Sequence, residues 1–516
     1  MKRITTLLLV AMFAMSGMMA ANAESNIDVK IKGRWDFAYT AMFNSGFDKN
    51  GDRRGTHRND DNFNAAQRIR TQVNFIVSEN LQAVLQFEIG GVTWGRGHKN
   101  TGSSNSNGAV GKGAGGQLGA DGVNIETKHA YLDWMVPETG LHIRMGLQAL
   151  ALPSTDLDSN VLDDDVAAIV ASYKFNDMFA LTAFWARPFD YYRQDPGAGR
   201  SMDDEADLFG LIAPITLDGA TITPWVMYGH IGAASGWYTD FDAKPAAATQ
   251  RGLNSSAPAW WLGVATEVDM FDPLTFGVEF IYGYLGRNDV NYGDAAAAFG
   301  PGAHRQMSAR GWYLAATLDY KLSWGTPGIF GWYSSGDDAS DVRGKGRLGR
   351  LPSVHGDQGF SSFGMDGAFA DGPGTGMLMG ESNIGTWGFG VQIEKMSFIK
   401  KLSHTLRFVY YHGTNDASIV RNAKATAGRA YWAGAGDFNE GMGLIGAGAD
   451  GQTWNYLTTK DQAFEINFDH KYQIYENLAA CLELGWIKID RDTRTWGSDF
   501  QNDAAWKAAL GFEFRF

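Results

Sequence analysis

The residues that could carry out chemistry are few, and they do not form a complete catalytic pattern. Residues 111–116 (GKGAGG) match the G-x-G-x-x-G phosphate-binding pattern, but they lie in a Gly/Ser-rich stretch without a strand before it or a helix after it. The ten histidines lack an H-E-x-x-H motif or another paired spacing that would bind zinc. Cys481, the only cysteine, has no evident neighbour that would activate its thiol. The sequence therefore predicts neither an enzyme nor a metal or cofactor.

Charged residues instead recur in extended segments where polar and apolar residues alternate. In residues 506–516, Trp506, Leu510 and Phe514 fall on one face of a strand, and Lys507 and Glu513 fall on the other. Residues 27–43 and 68–77 repeat this period of two. The chain contains about eighteen such segments, each near the ten residues that a tilted strand needs to cross a bilayer. Amphipathic helical patterns are scarce.

The links between these segments alternate between two lengths. Short links lie at 78–80, 136–140, 176–177, 217–220, 271–273, 323–327, 400–403 and 475–477. Long Gly/Asn/Asp/Ser-rich stretches lie at about 44–64, 93–122, 149–166, 188–204, 232–257, 287–308, 336–383, 416–460 and 491–501. Short turns at one end, long loops at the other and an even number of strands are typical of a transmembrane β-barrel. Both termini then lie on the periplasmic, short-turn side.

The N-terminus and the composition indicate export. Residues 1–23 carry Lys2 and Arg3, an apolar run and a small-residue cleavage site ending at Ala23, which predicts a signal peptide cleaved after Ala23. A single cysteine cannot form an internal disulfide, so the fold itself must provide the stability. The formal charge of -13 makes nucleic acid a poor partner.

We therefore predict an all-β protein. Residues 24–516 form a single antiparallel transmembrane β-barrel of about eighteen strands, with sixteen also possible. Lipid covers the apolar face of the last strand, and the first strand, near residues 27–43, closes its open edge. A soluble β-sandwich or propeller would have loops of comparable length at both ends and polar outer faces, and the alternation of short and long links argues against it.

Several short motifs resemble the trimeric general porins. They are IKGRWDF at 31–37, RIRTQVNFIVSENLQAVLQFE at 68–88, KHAYL at 128–132, LHIRMG at 141–146 and the terminal Phe516. The sequence is most similar to the homotrimeric porins of sulfate-reducing bacteria. The resemblance implies a homotrimer in the outer membrane of a Gram-negative cell. It also implies that Phe516 belongs to the signal read by the barrel-assembly machinery, although a lipid-facing ring would account for the same residue.

The resemblance further implies that the third long loop, 149–166, folds into the barrel and narrows it. Its carboxylates would be Asp156, Asp158, Asp163, Asp164 and Asp165, and they would face the basic wall residues Arg34, Arg68, Arg70, Lys128, Arg144 and Lys174. Opposed charges across a narrow aqueous gap would order water and favour polar solutes. The alternative is that the aspartates form a solvated loop and that the basic residues only line the lumen. The Pro-Glu-Phe-Gly-Gly turn of the family is absent from this loop.

The sequence thus predicts a passive porin for ions and small hydrophilic solutes, in contact with lipid and lipopolysaccharide. A substrate-specific porin for sugars or anions is the first alternative, and loop aromatics such as Tyr191 and Trp237 could then stack on sugars. A barrel enzyme or a structural or adhesive barrel are further alternatives. Arg343, Lys345, Arg347 and Arg350 form a basic run that could contact lipopolysaccharide phosphates or be a solvated loop. The net acidity favours a weak preference for cations at the mouth, whereas the basic wall favours anions inside.

Overall fold

The structure is a computed structural model in which twenty strand segments form one closed antiparallel sheet. It describes residues 27–44, 62–95, 125–155, 158–190, 205–232, 256–289, 306–341, 347–356, 359–364, 383–421, 457–496 and 503–516. The predicted signal peptide, Asp156, Arg343, Lys345, Tyr191, Trp237 and most of the long loops lie outside the described residues.

The barrel has eighteen strands, as predicted. The first ten segments are β1 (Asp28–Phe43), β2 (Asn62–Ser78), β3 (Leu81–Thr93), β4 (Ile125–Met135), β5 (Leu141–Ala151), β6 (Asp163–Lys174), β7 (Ala180–Asp190), β8 (Glu205–Ile212), β9 (Ile215–Leu217) and β10 (Ala220–Ile231). The others are β11 (Ala257–Phe271), β12 (Leu274–Asp289), β13 (Gln306–Tyr320), β14 (Thr326–Ser334), β15 (Arg347–Leu348), β16 (Thr386–Ile399), β17 (Leu402–Gly413), β18 (Gln462–Tyr475), β19 (Leu478–Asp490) and β20 (Ala504–Arg515). A helical turn, Thr493–Trp496, follows β19.

Two features explain why twenty strand segments make only eighteen strands of the barrel wall. β8 and β9 both pair with β10 and are one strand interrupted at Ala213 and Pro214, because proline has no N–H for the ladder. β15 is a two-residue segment of a long loop that pairs in parallel with β13. The eight short turns join the strand pairs that the sequence predicts.

The wall has a buried inner face and an exposed apolar outer face. In β11, Ala259 and Trp261 are fully buried. The residue that follows each of them, Trp260 and Leu262, is 48% exposed. Exposed aromatic side chains lie toward both ends of the wall, including Trp260, Tyr333 and Trp506 at the loop end and Phe271, Tyr320 and Tyr475 at the turn end. An apolar outer band bounded by aromatic residues is the surface that a bilayer surrounds.

The last strand closes the barrel on the first, as predicted. β1 and β20 pair from Arg34 opposite Arg515 to Phe43 opposite Trp506. Below this ladder, the Gly33 N–H donates to the Phe516 carbonyl at 2.8 Å and the Phe516 N–H donates to the Gly33 carbonyl at 3.0 Å. The C-terminal residue is therefore part of the seam of the barrel.

Short polar contacts anchor the loop end between β17 and β20. Asp461, which is fully buried, accepts hydrogen bonds from the Thr458 N–H and from the Trp496 indole N–H at 2.8 Å. Asp492 caps the helical turn by accepting from the Thr495 N–H at 3.1 Å and hydroxyl at 2.6 Å. The Thr495 hydrogen bond holds the pKa of the Asp492 carboxyl below its usual range.

None of the helices among the described residues is long and apolar enough to cross a membrane.

Candidate functional site

The inner face of β1 to β3 carries the predicted arginines, and each lies beside a carboxylate. Arg34 Nε is 2.6 Å from Asp36 Oδ1, and Arg70 Nε is 2.6 Å from Glu88 Oε2. Arg68 lies between the two carboxylates, at 3.9 Å from Asp36 and 4.0 Å from Glu88. The basic wall that the sequence predicts is therefore a wall of alternating charge. The sequence carried a signal for this, because Asp36 and Glu88 share the inward register of the arginines.

The alternation of charge continues around the wall on the other side of the seam. Glu513 lies 2.6 Å from Arg515 Nε, 3.5 Å from Arg34 and 3.8 Å from Lys471. Further inward ion pairs join Lys507 to Glu483 at 2.8 Å and Arg407 to Glu394 at 2.7 Å. We call this set the charged band; it runs over β16 to β20 and β1 to β3 and consists of Glu394, Arg407, Asp469, Lys471, Glu483, Lys507, Glu513, Arg515, Arg34, Asp36, Arg68, Arg70 and Glu88.

Arg144 extends the predicted basic wall to β5. Its Cα is paired with that of Asp133 in β4, and its guanidinium carbon lies 5.7 Å from the centre of the Tyr131 ring. Asp133 in turn accepts from Gln82 at 3.2 Å and contacts His142. Arg144 therefore lines the lumen on the same side as Arg34, Arg68 and Arg70.

Lys128 contacts a predicted partner, but the pair does not span the lumen. In the pairing of β3 with β4, Gln86 is opposite His129 and Phe87 is opposite Thr127, so Lys128 is the extra residue of a β-bulge. The bulge explains why the alternation around Lys128 is irregular in the sequence. Lys128 Nζ and His129 Nε2 both contact the Asp165 carboxylate. Asp165 is paired with the exposed Ala149 and is thus on the outward register of β6.

Lys174 lies away from the other predicted wall residues. It is the last residue of β6, its side chain is 64% exposed, and its Nζ is 2.7 Å from Asp177 Oδ1 in the following turn. The Lys174 hydrogen bond lowers the pKa of the Asp177 carboxyl below its usual range. The structure therefore places Lys174 at the turn end of the wall.

The loop between β5 and β6 folds into the barrel, as predicted. We call its described residues, 152–155 and 158–162, the first inward segment. Its base is closed by the hydrogen bond from the Leu152 N–H to the Leu162 carbonyl at 2.9 Å. On the other side, the Ser154 hydroxyl donates to Glu279 of β12 at 2.8 Å. Because Val161 and Leu162 are buried, this segment packs as part of the interior and is not a solvated loop.

The predicted aspartates of this loop have different surroundings. Asp164, on the inward register, has Oδ2 3.6 Å from His355 Nδ1. The backbone N–H of Asp163 donates to the carbonyl of the same histidine at 2.8 Å, whereas Asp165 faces outward. Asp158 lies within the first inward segment, beside the buried Ser159. The side chain of Asp164 and the backbone of Asp163 thus both contact His355, which belongs to a second lumen element.

That second element is a part of the long loop before β16, which sequence reasoning did not predict to fold inward. We call its described residues, 347–356 and 359–364, the second inward segment. The Pro352 carbonyl accepts from the Trp261 indole N–H of β11 at 2.7 Å. At Gly311 of β13, a Cβ atom would lie 2.3 Å from the Leu351 nitrogen, so only glycine permits this approach. Leu351 itself is fully buried.

Aromatic stacking holds the segment farther along the wall. The Phe360 ring is stacked on Phe330 of β14 at 4.7 Å between ring centres and on Trp332 at 4.6 Å. Such a pair contributes about 0.5–1.5 kcal/mol beyond the burial of its area. The sequence signal for this inward fold was a set of apolar residues in a polar loop: Leu348, Leu351, Val354, Phe360 and Phe363.

The two described arginines of the basic run in the same loop are paired. Arg350 is 8% exposed, with Nε 2.9 Å from Asp337 Oδ2, and Arg347 contacts Asp341. The Asp337 carboxylate also accepts from the Gly349 N–H at 2.8 Å. These arginines therefore fix the base of the second inward segment.

The two inward segments join each other and cover one side of the lumen. The Val354 N–H donates to the Val161 carbonyl at 2.8 Å, and Asn160 of the first inward segment also donates to Asn383, shortly before β16, at 2.8 Å. Inward residues beneath them, such as Trp261 and Tyr313, are fully buried. On the opposite side, the Arg34 side chain remains 23% exposed. The inner wall at Arg34 is therefore open to water, whereas the inner wall beneath the two inward segments is covered.

Metal-binding and thiol chemistry receive no support at these positions. Among the described residues, no group of three or more His, Cys, Asp and Glu side chains is arranged to hold a metal ion. Cys481 is a free, partly buried cysteine on the inward register of β19, opposite Lys471.

The fold and the inner face define the class of protein: a closed β-barrel whose inner face is lined by charged side chains. No protein-family model and no curated protein matches the chain. OpdL of Pseudomonas aeruginosa resembles it with a TM-score of 0.47 and 10% identity, over 95% of this chain and 99% of that one. OprD of the same organism resembles it with a TM-score of 0.46 and 10% identity, over 96% of this chain and 97% of that one. A loop L8 deletion mutant of OmpT, an outer membrane protein of Vibrio cholerae, resembles it with a TM-score of 0.38 and 10% identity, over 95% of this chain and 99% of that one. Likenesses this distant carry no conclusion about the function of this chain.

Proposed function

We propose that the protein is an outer-membrane porin, a water-filled channel through which ions and small hydrophilic solutes diffuse passively. The observation that supports this most directly is the combination of an apolar outer face with a charged band on the inner face. Charges inside a membrane barrel are tolerated because they face water or one another, and they mark a solute path.

The test is single-channel conductance of the detergent-purified protein in a planar bilayer, with a KCl gradient and added sugars. Ohmic steps that solutes do not affect would support a general porin. If folded protein inserted but never conducted, the proposal would be wrong.

Within this channel, Arg34, Arg68, Arg70 and Arg144 are the basic lining residues. Their carboxylate neighbours, such as Asp36 and Glu88, balance much of their charge, so the selectivity between anions and cations is weak. Asp164 and His355 line the edge of the inward segments that faces this wall. The positions of Lys128 and Lys174 give no support to a role for them in the constriction.

Assembly and export are proposed from the sequence. The resemblance of the first strands to homotrimeric porins supports three channels per complex, and triple conductance steps would test this. Phe516 is proposed as part of the signal for the barrel-assembly machinery, and residues 1–23 as a signal peptide. N-terminal sequencing of the mature protein, which should begin at Glu24, tests the cleavage. Lipid and lipopolysaccharide are the proposed surroundings of the outer face.

A substrate-specific porin is the second candidate, and one observation favours it. The second inward segment adds a constriction beside that of the first, and a narrow path brings solutes into contact with fixed groups. Solute-dependent, saturable block of the conductance would support this candidate. Equal permeation by solutes of equal size and different chemistry would contradict it.

A further inference from the structure

The tip of the second inward segment is held by consecutive inward residues of one strand. Glu465 Oε1 accepts from the Phe363 N–H at 3.1 Å and from the Gly364 N–H at 2.9 Å. Two residues farther along β18, the Asn467 side chain accepts from the Ser362 N–H at 3.3 Å. Two residues beyond that, the Asp469 carboxylate accepts from the Ser362 hydroxyl at 3.1 Å. We call Glu465, Asn467, Asp469 and Lys507 the tip clamp; the last donates from Nζ to the Ser362 carbonyl at 2.8 Å.

The clamp is directed at the backbone of the segment. Glu465 is 1% exposed, and the groups that donate to its Oε1 are the two tip N–H groups and the Asn467 amide at 2.8 Å. A buried carboxyl group must be compensated by hydrogen bonds, so the N–H groups of the tip supply part of the hydrogen bonding that Glu465 requires in the interior. Release of the tip would therefore expose Glu465 to water.

The remainder of the segment has its own anchors, so the tip can move separately. The bond from Trp261 to the Pro352 carbonyl and the stacking of Phe360 hold the residues before the tip. The tip itself reaches across to β19, where a Cβ atom at Gly485 would lie 2.8 Å from Phe363. The clamp thus fixes the point at which the segment meets the wall between β18 and β20.

We propose that the tip clamp consists of positioning residues that set the open cross-section of the lumen by holding residues 361–364 against β18 to β20. This inference rests on the proposed channel function. With the clamp intact, the tip is fixed beside the charged band. When Glu465 is replaced, the tip leaves the wall and enters the lumen, so the conducting path beside it narrows.

The first test compares the single-channel conductance of wild type, Glu465→Ala and Glu465→Gln. We expect Glu465→Ala to lower the conductance by roughly 1.5-fold, because the released tip occupies part of the lumen and conductance follows the open width of a narrow pore. Glu465→Gln keeps one acceptor oxygen and should give a smaller fall. The reversal potential in a KCl gradient should change little in both. Equal effects of Ala and Gln together with a shifted reversal potential would show that only the charge matters, and would overturn the proposal.

Asp461→Ala is the matched control. Asp461 is equally buried and lies four residues before Glu465, but its hydrogen bonds go to Thr458, Asp492 and Trp496 and not to the inward segment. We expect its conductance to remain that of wild type. An equal fall in this variant would show a general effect of removing a buried carboxylate and would contradict a clamp.

A cross-link covers the case in which Glu465→Ala does not fold. In a Cys481→Ser background, Ser362→Cys and Asp469→Cys place two thiols where a hydroxyl and a carboxylate now touch. The oxidised channel should conduct like wild type, and reduction should lower its conductance. Failure of wild type to conduct would refute the channel function itself. A conducting wild type whose cross-linked variant shows no change on reduction would refute only the clamp.

Discussion

The ring of the C-terminal Phe516 lies directly over Gly33 on the outer face of the barrel seam. A Cβ atom at Gly33 would lie 2.4 Å from the Phe516 Cζ atom and 2.7 Å from the Arg70 carbonyl oxygen. The two backbones exchange both of their hydrogen bonds at this point. The absence of a side chain at residue 33 is thus what allows the final ring to close the wall.

We therefore predict that Gly33→Val weakens barrel closure. The new side chain must displace the ring, and such overpacking costs about 1–3 kcal/mol. The measurement is the temperature at which the folded barrel converts to the unfolded form on a denaturing gel. Ala41→Val, on the same strand and the same outward register, is the control and should leave this temperature nearly unchanged. Equal losses in both variants would show that the seam is not special.

The balance of charge on β2 and β3 predicts opposite shifts in ion selectivity. Glu88→Gln leaves Arg70 without its carboxylate at 2.6 Å and should shift the reversal potential toward anions. Arg70→Gln should shift it toward cations. Both shifts should be clear at 0.1 M KCl and much smaller at 1 M, because the screening length falls from about 10 Å to about 3 Å. Shifts of the same sign in the two variants would contradict a paired wall.

The inward ion pair between Lys507 and Glu483 predicts a non-additive loss of stability. Lys507→Met would leave a buried carboxylate without its cation, and the free energy of unfolding should fall by about 3–5 kcal/mol. Combining it with Glu483→Gln should recover much of this loss. Urea unfolding in detergent, applied to both single variants and the double variant, measures the coupling. Additive losses would mean that the two side chains do not interact.

The stacked Phe360 ring predicts local release without loss of the barrel. Phe360→Ala removes the contacts with Phe330 and Trp332, and a large-to-small change at such a site costs about 3–5 kcal/mol. Because the ring belongs to a loop, we expect new protease cleavage within 347–364 while the barrel stays resistant to detergent unfolding. Phe360→Leu should be cleaved more slowly. Resistance of Phe360→Ala equal to wild type would contradict this anchoring role.

Much of the fold could be predicted because the residues of each strand alternate between those suited to the outer face of the barrel and those suited to its inner face. The alternation of Trp506 and Lys507 needs no distant information, and it correctly gave the closure of β20 on β1. The number of strands and the short turns followed from the same local pattern. The inward fold of the first inward segment came from resemblance, and its anchor, the contact between Ser154 and Glu279, joins residues that are far apart in the chain.

What could not be predicted depends on pairs of residues distant in sequence. Glu465 and Phe363 are separated by 102 residues, and nothing in either local pattern specifies that they meet. The pairing of Arg70 with Glu88 was closer at hand, since both lie on inward registers of one hairpin. Asp165 was predicted to belong to a loop, whereas in the structure it is a residue of β6 whose Cα is paired with that of Ala149.

Because of its position, Cys481 can report on the entry of reagents into the lumen of the natural protein. The only sulfhydryl group of the chain lies on the inward register of β19, with Lys471 opposite it on β18 and Gly511 opposite it on β20. Its rate of alkylation in intact cells therefore measures entry of a reagent into the lumen. Comparing a cationic and an anionic reagent of equal size would rank permeation by charge in the unmodified protein, in its own membrane and without electrodes.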